Sequence, residues 1–589
     1  MEQLETEVLI VGAGLAGSTA AVALARHGVK AMMISRAPWV ANSPRAHIVN
    51  QRTMEVMRTL DLEDACVAAA TPGDQMANHV MMTAVAGVEF GRMWSWGNDP
   101  ARAGEYAHSP GKGCDLPQDR FEPILVGEAM RLGVVTRYST EFVSLAQDAD
   151  GVTTTLRDRL TGAEFTVRSA YVIGADGGQS PVAEAIGLPF TGTPALAPAL
   201  NVHFEADLSQ HFAHRPGSIF WILQPGRDGA MGNAMLRMVR PWNEWIVGFV
   251  HLGQSVTTLS EEELITAVRE IIQDDTVEIT IRGMYPWRIN QVVADRYSEG
   301  RVFCAGDAVH RHPPMNGLGG NTCIQDAFNL AWKLAATLRW NAGAGLLASY
   351  STERQPIGRH VVDRAVAGWH QNPEVVKALG IDPAASPAER QAQFDVLFAD
   401  SDAGEARREA FAVARDSKTW SYHAHGTEMN QVYREGAVVP DGTLEPEDEI
   451  DLELVYRPRN IAGARVPHAW VECRGTTVST LDLCRPEQFT LLTRTRGGAW
   501  LDAARAITET TGIPVTALRI GAGGEVADLY GAWAKASGIG ESGCILVRPD
   551  QHIAWRQDRL TTDPEASLRE ALAVVLALAD ARVSVGAAL

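Results

Sequence analysis

The stretch Arg301–Leu338, RVFCAGDAVHRHPPMNGLGGNTCIQDAFNLAWKLAATL, decides the fold. Arg301–Cys304 reads as a short apolar strand, Gly306 as a turn, and Asp307 stands where the chain leaves the sheet, the place where open α/β sheets bind ligands. Its carboxylate can accept hydroxyl hydrogens from a sugar or a ribitol. Gly317, Gly319 and Gly320 let backbone pass close to a flat ligand, and the amides that open the next helix lie where the macrodipole favours negative charge. From Asn321 onward, Ile324, Ala327, Phe328, Ala331 and Leu334 recur at helical spacing, so one face of that helix is buried. The helix is an anchor, and the loop before it is a ligand site.

A second site element opens the chain. Glu7–Val11 is an apolar strand that runs into Gly12-Ala13-Gly14-Leu15-Ala16-Gly17, then a helix to about His27 that Gly28 ends. The first glycine makes the tight turn, the second lets backbone approach a pyrophosphate, and the third lets helix and strand pack closely. Such a turn serves NAD as well as FAD. The next strand, Val29–Ile34, should end in an acid for the adenosine ribose, but Ser35 and Arg36 stand there. Ser35 is left to hydrogen-bond the ribose and Arg36 to lie over the adenine. A third element is Tyr171-Val172-Ile173-Gly174-Ala175-Asp176-Gly177.

Gly306-Asp307-Ala308, His310, Pro313-Pro314, Asn316-Gly317 and the helix carrying Gln325-Asp326-Ala327 and Asn329-Leu330 closely resemble the second flavin motif of one family. With Gly12–Gly17 and Asp176-Gly177 they extend the likeness over nearly the whole chain. The family is the single-component (group A) flavoprotein aromatic hydroxylases, and within it the phenol and 2,4-dichlorophenol 6-monooxygenase group. The resemblance implies an FAD-dependent monooxygenase that hydroxylates a phenolic ring, ortho to a hydroxyl, with NADPH or NADH and O2 through a flavin C4a-hydroperoxide. It places non-covalent FAD against Gly12, Gly14, Leu15, Ala16, Gly17, Ser35, Arg36, Arg45, Gln118, Asp176, Asp307, Pro314, Gly317, Gly319, Gly320 and Asn321. His47 falls where phenol-hydroxylating relatives carry an active-site acid, and an imidazole of ordinary basicity can accept a phenolic proton near neutral pH. The plain alternative for His47 is a hydrogen-bonded loop residue. Trp94, Trp287, Asn290, Gln291 and Pro313 are candidates for the substrate pocket, each with packing as the alternative. One departure is Ala183 after Val182, where the family has an arginine.

The element pattern predicts a fold class of α/β joined to α+β, and the resemblance implies a discontinuous FAD-binding Rossmann-like domain (residues 1–75, 115–187 and 281–370), a β-sheet substrate domain (76–114 and 188–280), a helical linker region (371–445) and a C-terminal domain (446–589) whose order of elements resembles the thioredoxin-like domain of the larger aromatic hydroxylases. Leu188–Pro198 reads as a Pro/Ala-rich crossing, Ile381–Glu389 as a linker, and Glu445–Asp451 as an acidic boundary. The seven cysteines form no C-x-x-C pair, which excludes a thioredoxin-type redox role and suits reduced, buried thiols.

A formal net charge of −19 over 589 residues excludes a phosphate-backbone partner. No apolar run spans a bilayer, and the amino terminus has no basic leader, so a cytoplasmic protein without a membrane partner is expected. The partners expected are a small aromatic substrate and further copies of the chain, as a dimer or higher homo-oligomer. No metal is expected, since His310, His312 and Asp307 lack the further converging ligands a metal needs. Two other readings remain open. A flavin halogenase would carry W-x-W-x-I-P, of which Trp94-Ser95-Trp96-Gly97-Asn98-Asp99 has only the first half; a non-catalytic FAD-binding interaction protein is the second.

Overall fold

Val8–Val11 is buried because parallel neighbours flank it on both sides. In the computed structural model, which describes residues 3–227, 233–250, 259–443 and 450–578, Gln3–Val11 pairs with Ala31–Ile34 on one side and Glu164–Gly174 on the other. Val302–Cys304 and Val135–Arg137 extend this parallel sheet outward. Register then does the placing: Val11 lies opposite both Ile34 and Gly174, and Gly174 opposite Cys304. All four strands therefore end level, and the Gly12, Ser35, Asp176 and Asp307 turns leave the same carboxyl edge. The helices Leu15–Arg26 and Gly319–Arg339 pack against each other over this sheet.

The second sheet runs, in spatial order, His310–Arg311, Thr280–Ala294, Phe190–Glu205, Glu244–Val250, Asn233–Arg240, Ile219–Leu223, Asn78–Met82 and Glu89–Trp94. Leu200, Val202, Phe204, Leu236, Val247 and Trp245 alternate onto one face and pack under the helix Glu261–Ile272, which Ser260 and Glu263 cap reciprocally. The opposite face turns to the loop 42–47. There Arg237 donates to the Pro44 carbonyl and Tyr285 to the Asn42 carbonyl.

Three readings of the sequence change. The Pro/Ala-rich stretch Leu188–Pro198 is not a crossing, because Phe190–Glu205 is a single strand of 16 residues. A bulge between Thr193 and Ala197 accommodates Pro194; Ala195 turns to φ 56° and its amide donates to Asn290 Oδ1 at 3.0 Å. Tyr285–Gln291, placed with the FAD-binding segment 281–370, belongs by pairing to the second sheet, since Thr280–Ala294 zips along Phe190–Glu205. Finally, Ile381–Glu389 is partly helical: Ser386 and Pro387 start the helix Pro387–Asp395, and Phe394, Leu397 and Phe411 pack with Met81 at the edge of the second sheet.

The C-terminal part has the expected βαβ–ββα order. Phe489–Thr493, Gly498–Thr511 and Val515–Arg519 come first, then Cys544–Val547, Ile553–Gln557 and Pro564–Val575. A small sheet of Trp470–Cys473, Thr476–Ser479 and Val526–Ala527 stands beside it, its strands too short to show a period. Glu445–Asp451 and the expected strand ends at Ala230 and His251 fall wholly or partly outside the described residues.

This domain is joined to the flavin-site helix through buried charge. Arg548 forks onto Glu353 at 2.8 Å with both terminal nitrogens and reaches Asp550. Lys333, on the helix Gly319–Arg339, donates to Glu353 at 2.7 Å, and Asn329 donates to Glu353 and Asp550. None of the Arg548, Glu353 and Lys333 side chains reaches solvent.

Candidate active site

Between the two sheets the chain brings together what the sequence holds apart. From Val302 to His310 every residue is buried except Asp307. Gly306 sits at φ +66° against Cys323 and Ala16, so Asp307 projects between the start of the first helix and the start of the Gly319 helix. Its carboxylate accepts no hydrogen bond from a nitrogen among the described residues, only a contact from the Cys323 thiol at 3.7 Å. At Gly12, φ is +110° and a Cβ would collide with the Ala175 carbonyl, while one at Gly17 would collide with the Gly12 carbonyl. Glycine is required at both positions. The amides of Gly319, Gly320 and Asn321 precede the first bond of their helix, which Thr322 makes to Leu318, and without a backbone partner among the described residues they can face an anion or a ring carbonyl.

The residues expected around a dinucleotide sort into open and committed groups. Leu15 and Ala16 form the first helical turn behind the cradle. Arg36, Arg45 and Pro314 are exposed, and Gly317 takes φ +65° beside Ile48 and Trp96. Ser35 accepts the Ala37 amide at 3.2 Å. Gln118 donates to Glu122 at 2.5 Å, and Glu122, raised by burial, lies against Gly14. Asp176 accepts from Ser180 and from the Val182 amide, so its carboxylate braces its own turn. Asn321 is a tie: its side chain accepts the Asn50 amide and donates to the carbonyls of Ile48 and Gly317.

His47 is not a bare loop residue. Its Nδ1 lies 2.5 Å from Asp115 Oδ2, in a short antiparallel pair where Ile48 opposes Asp115 and the Leu116 amide donates to the His47 carbonyl. With Nδ1–H directed at the carboxylate, Nε2 keeps its lone pair. Burial, and then the charge of Arg237, push the imidazole below the ordinary histidine value, while Asp115 pulls the other way. Arg237 is itself buried and lowered to about 10. Neither Asp115 nor Arg237 carries a local sequence signal; pairing across 68 and 193 residues brings them to the 44–47 loop.

The aromatic wall also differs from expectation. Trp94 ends its strand 43 % exposed, whereas Trp96, at φ 50°, turns inward to His79 and Gly317 and donates to Ser218 Oγ at 3.0 Å. Tyr422, from the region taken as a helical linker, stacks on His79 at 4.0 Å. Trp287 packs with Ala197, Ala199 and Trp369. Asn290 spends its amide on the bulge, Gln291 is a half-buried strand residue opposite Thr193, and Pro313 is buried with its carbonyl held by His312. Among the described residues no three His, Cys, Asp or Glu side chains converge as metal ligands, and His310 is bound to Asp326.

This geometry fits the FAD that the sequence implies: a pyrophosphate turn without Cβ atoms, a lone carboxylate for hydroxyls and free amides at a helix start. Comparison with known proteins agrees. An FAD-binding domain model matches residues 5–365, and an aromatic-ring hydroxylase C-terminal model matches 459–579. The chain belongs to the FAD-dependent aromatic-ring hydroxylases. The hydroxylase is 43% identical over 578 residues to a 2,4-dichlorophenol 6-monooxygenase of Delftia acidovorans, covering 98% of this chain and 99% of the relative. It is 41% identical to a phenol 2-monooxygenase of a Pseudomonas species, covering 97% and 92%. The crystal structure of the flavin-dependent monooxygenase PieE, in complex with FAD and substrate, superposes with a TM-score of 0.93 at 44% identity, covering 98% of this chain and all of PieE. The hydroxylase is thus an FAD-dependent monooxygenase that consumes NAD(P)H and O2, and its C-terminal domain is thioredoxin-like. No described helix of the hydroxylase is long and apolar enough to cross a membrane.

Proposed function

We propose that the hydroxylase inserts one oxygen atom of O2 into a small phenol, ortho to its hydroxyl, with His47 as the base that takes the phenolic proton. The His47–Asp115 dyad carries this reading, because it presents an unprotonated Nε2 in a buried aromatic site. Bound FAD, once reduced by NAD(P)H, supplies the activated oxygen. The protein's work is positional and acid–base. Asp115 fixes the imidazole's tautomer and steadies the cation that forms when His47 is protonated, and burial, helped by Arg237, keeps His47 neutral beforehand. Trp96, Trp221 and Tyr422 flank the site and exclude water. Gly12, Gly14, Leu15, Ala16 and Gly17 would hold the pyrophosphate, with Ser35 and Arg36 at the adenosine. Arg45, Gln118, Asp307, Pro314, Gly317 and the Gly319–Asn321 amides would lie along the ribityl chain and ring, and Asp176 would act through its turn. Unpaired cysteines fit a reducing, cytoplasmic setting, and a homo-oligomer remains part of the reading.

A panel of phenols scored for stimulated NAD(P)H oxidation and for product mass tests the proposal. A product heavier by one oxygen, carried on the carbon next to the hydroxyl, supports it; stimulated oxidation that never yields such a product with any phenol removes it. For cofactor placement, Asp307→Ala is expected to weaken FAD binding by roughly 10- to 100-fold, the worth of one hydrogen bond to a charged acceptor. Fluorescence titration of the apoprotein reads this directly, and full affinity in the variant would move FAD away from Asp307. For the C-terminal domain, Cys473, Cys484 and Cys544 are unpaired, and burial pushes the Cys484 and Cys544 thiols up, away from thiolate reactivity. Replacing all three by alanine should keep turnover within about twofold; a folded but inactive triple variant would reinstate a redox role.

A further inference from the structure

Arg237 lies in a cross-strand row that runs His203, Ile246, Arg237, Ile219, His79 on the sheet face that meets the His47 loop. Both of its ladder neighbours are buried isoleucines, so the sheet itself supplies no counter-charge. Among the described residues its one hydrogen bond runs from Nη2 to the Pro44 carbonyl, a neutral acceptor three residues before His47. Nε is sealed from solvent without a partner. The carboxylates in range are committed elsewhere: Asp115 to His47, and Glu244 to His203 at 3.0 Å and to Arg240 at 2.6 Å. Asp119, on the first turn of the helix Gln118–Arg131, acts on the guanidinium only at a distance. At 6 % exposure, Arg237 is a buried cation without an ion-pair partner among the described residues.

Such a charge is costly to bury, and folded proteins pair it or give it a ligand. What Arg237 lacks is an anion, and the chemistry at His47 makes one. When a phenolic proton passes to Nε2 of His47, the electron pair of the broken O–H bond stays on the substrate oxygen, so a cation and an anion appear together. The cation meets Asp115, already 2.5 Å from Nδ1. The anion meets Arg237, whose bond to Pro44 sets it against the same loop. One guanidinium and one carboxylate before the transfer thus become two opposite pairs after it, with no change in net charge.

We propose that Arg237 is a second catalytic residue, whose guanidinium binds the oxygen of the phenolate while His47 holds its proton. This rests on the phenol reading given above. The selection it imposes is on ionisation and not on shape: an aryl ether, with no proton to give and no anion to form, should not be hydroxylated even where it binds.

The probe is para-nitrophenol, whose anion absorbs visible light and whose neutral form does not. It is titrated with pH on the FAD-loaded wild-type enzyme, Arg237→Gln, Arg237→Lys and His47→Ala, and read as difference spectra. Glutamine can still donate to the Pro44 carbonyl but carries no charge. Asp115, Asp119, Glu244 and His203 surround the guanidinium and are common to all four proteins, so a difference among them reads residue 237 or 47. Wild type is expected to bind the nitrophenolate at least about tenfold more tightly than the neutral phenol, a fall of about one unit in the pKa of the bound probe. Arg237→Gln should abolish that preference, and Arg237→Lys should restore part of it. His47→Ala should keep it, because the base contributes no positive charge to an anion taken from solution. With unsubstituted phenol, Arg237→Gln should lower kcat by about 10²- to 10³-fold while FAD affinity holds, as loss of an oxyanion donor does. FAD stoichiometry reports folding. A wild-type enzyme that binds the probe without preferring its anion overturns the role of Arg237 by itself, as does a loaded Arg237→Gln enzyme that titrates the probe like wild type; the phenol reading stands in both cases. If wild type binds neither nitrophenol nor phenol, the phenol reading falls and takes this inference with it.

Discussion

His47→Ala is expected to form hydroxylated product about 10²- to 10⁴-fold more slowly while keeping FAD and still oxidising NAD(P)H, the range a positioned base contributes. A free phenol with a pKa near 10 is only ~0.1% ionised at pH 7, and ring attack on electrophilic oxygen is far faster from the phenolate. Without the imidazole the ring stays protonated, and reducing equivalents are lost as hydrogen peroxide. The pH dependence has a definite sign. Burial and Arg237 hold His47 below the usual histidine value, so it stays a competent base through mildly acidic pH, and the acid limb of kcat/KM should lie below about pH 6.5. Arg237→Met removes one lowering charge and should move that limb upward. Asp115→Asn removes the group that raises His47, so the limb should move downward while the rate also falls through loss of the fixed tautomer. Product formed per NAD(P)H, measured across pH, settles the matter: a folded His47→Ala enzyme with wild-type coupling at every pH returns His47 to a structural role.

The second large effect lies far from the reacting ring. Glu353→Gln should destabilise the protein by about 3–5 kcal/mol, because it leaves Arg548 and Lys333 buried without a full counter-charge. Against the cost of burial, Arg548 and Lys333 hold Glu353 at about 2, and Lys333 is itself lowered to about 8. The carboxylate's contribution is therefore fully present above pH 4.5 and drains away as pH falls through about 2. Lys333 sits on the helix whose first-turn amides are proposed above to face the flavin, so on that proposal loss of this cluster should weaken FAD binding in step with stability. Denaturant titration with and without added FAD tests both. The pair replacement Glu353→Leu with Arg548→Met should cost less than Glu353→Gln alone, since it leaves no orphaned charge. A Glu353→Gln protein as stable as wild type would show that the cluster contributes nothing to the union of the two domains.

What the sequence disclosed follows from how locally each feature is written. The Gly12 turn is legible because a pyrophosphate turn needs glycines at fixed short offsets, the Gly306 turn because it stands in one unbroken strand–loop–helix stretch, and the C-terminal order because its strands and helices have different periods. Asp115 and Arg237 were not legible, since a carboxylate or guanidinium becomes part of a dyad only when remote strands pair. Trp94 and Trp96 show the same limit at close range. Two residues apart in a continuing strand they would share a face, but the strand ends at Trp94 and the positive φ of Trp96 sends only the second indole inward. Phe190–Glu205 misled because proline and alanine signal a loop, whereas a bulge latched by Asn290 absorbs them.

The level ends of Gln3–Val11, Glu164–Gly174 and Val302–Cys304 have a consequence for how the chain is made. The cradle that opens the chain is completed by a strand and helix more than 290 residues downstream in the sequence. At ribosomal speeds of about 5–20 residues per second, the first glycine turn therefore waits roughly 15 s to a minute for its other half to emerge. Glu164–Gly174 lacks its outer neighbour Val302–Cys304 during that interval, so nascent chains stalled before Arg339 should hold no cofactor and should depend on chaperones. Yield of the yellow holoprotein is then set by what shelters the unfinished sheet, more than by how tightly the finished one grips its ligand.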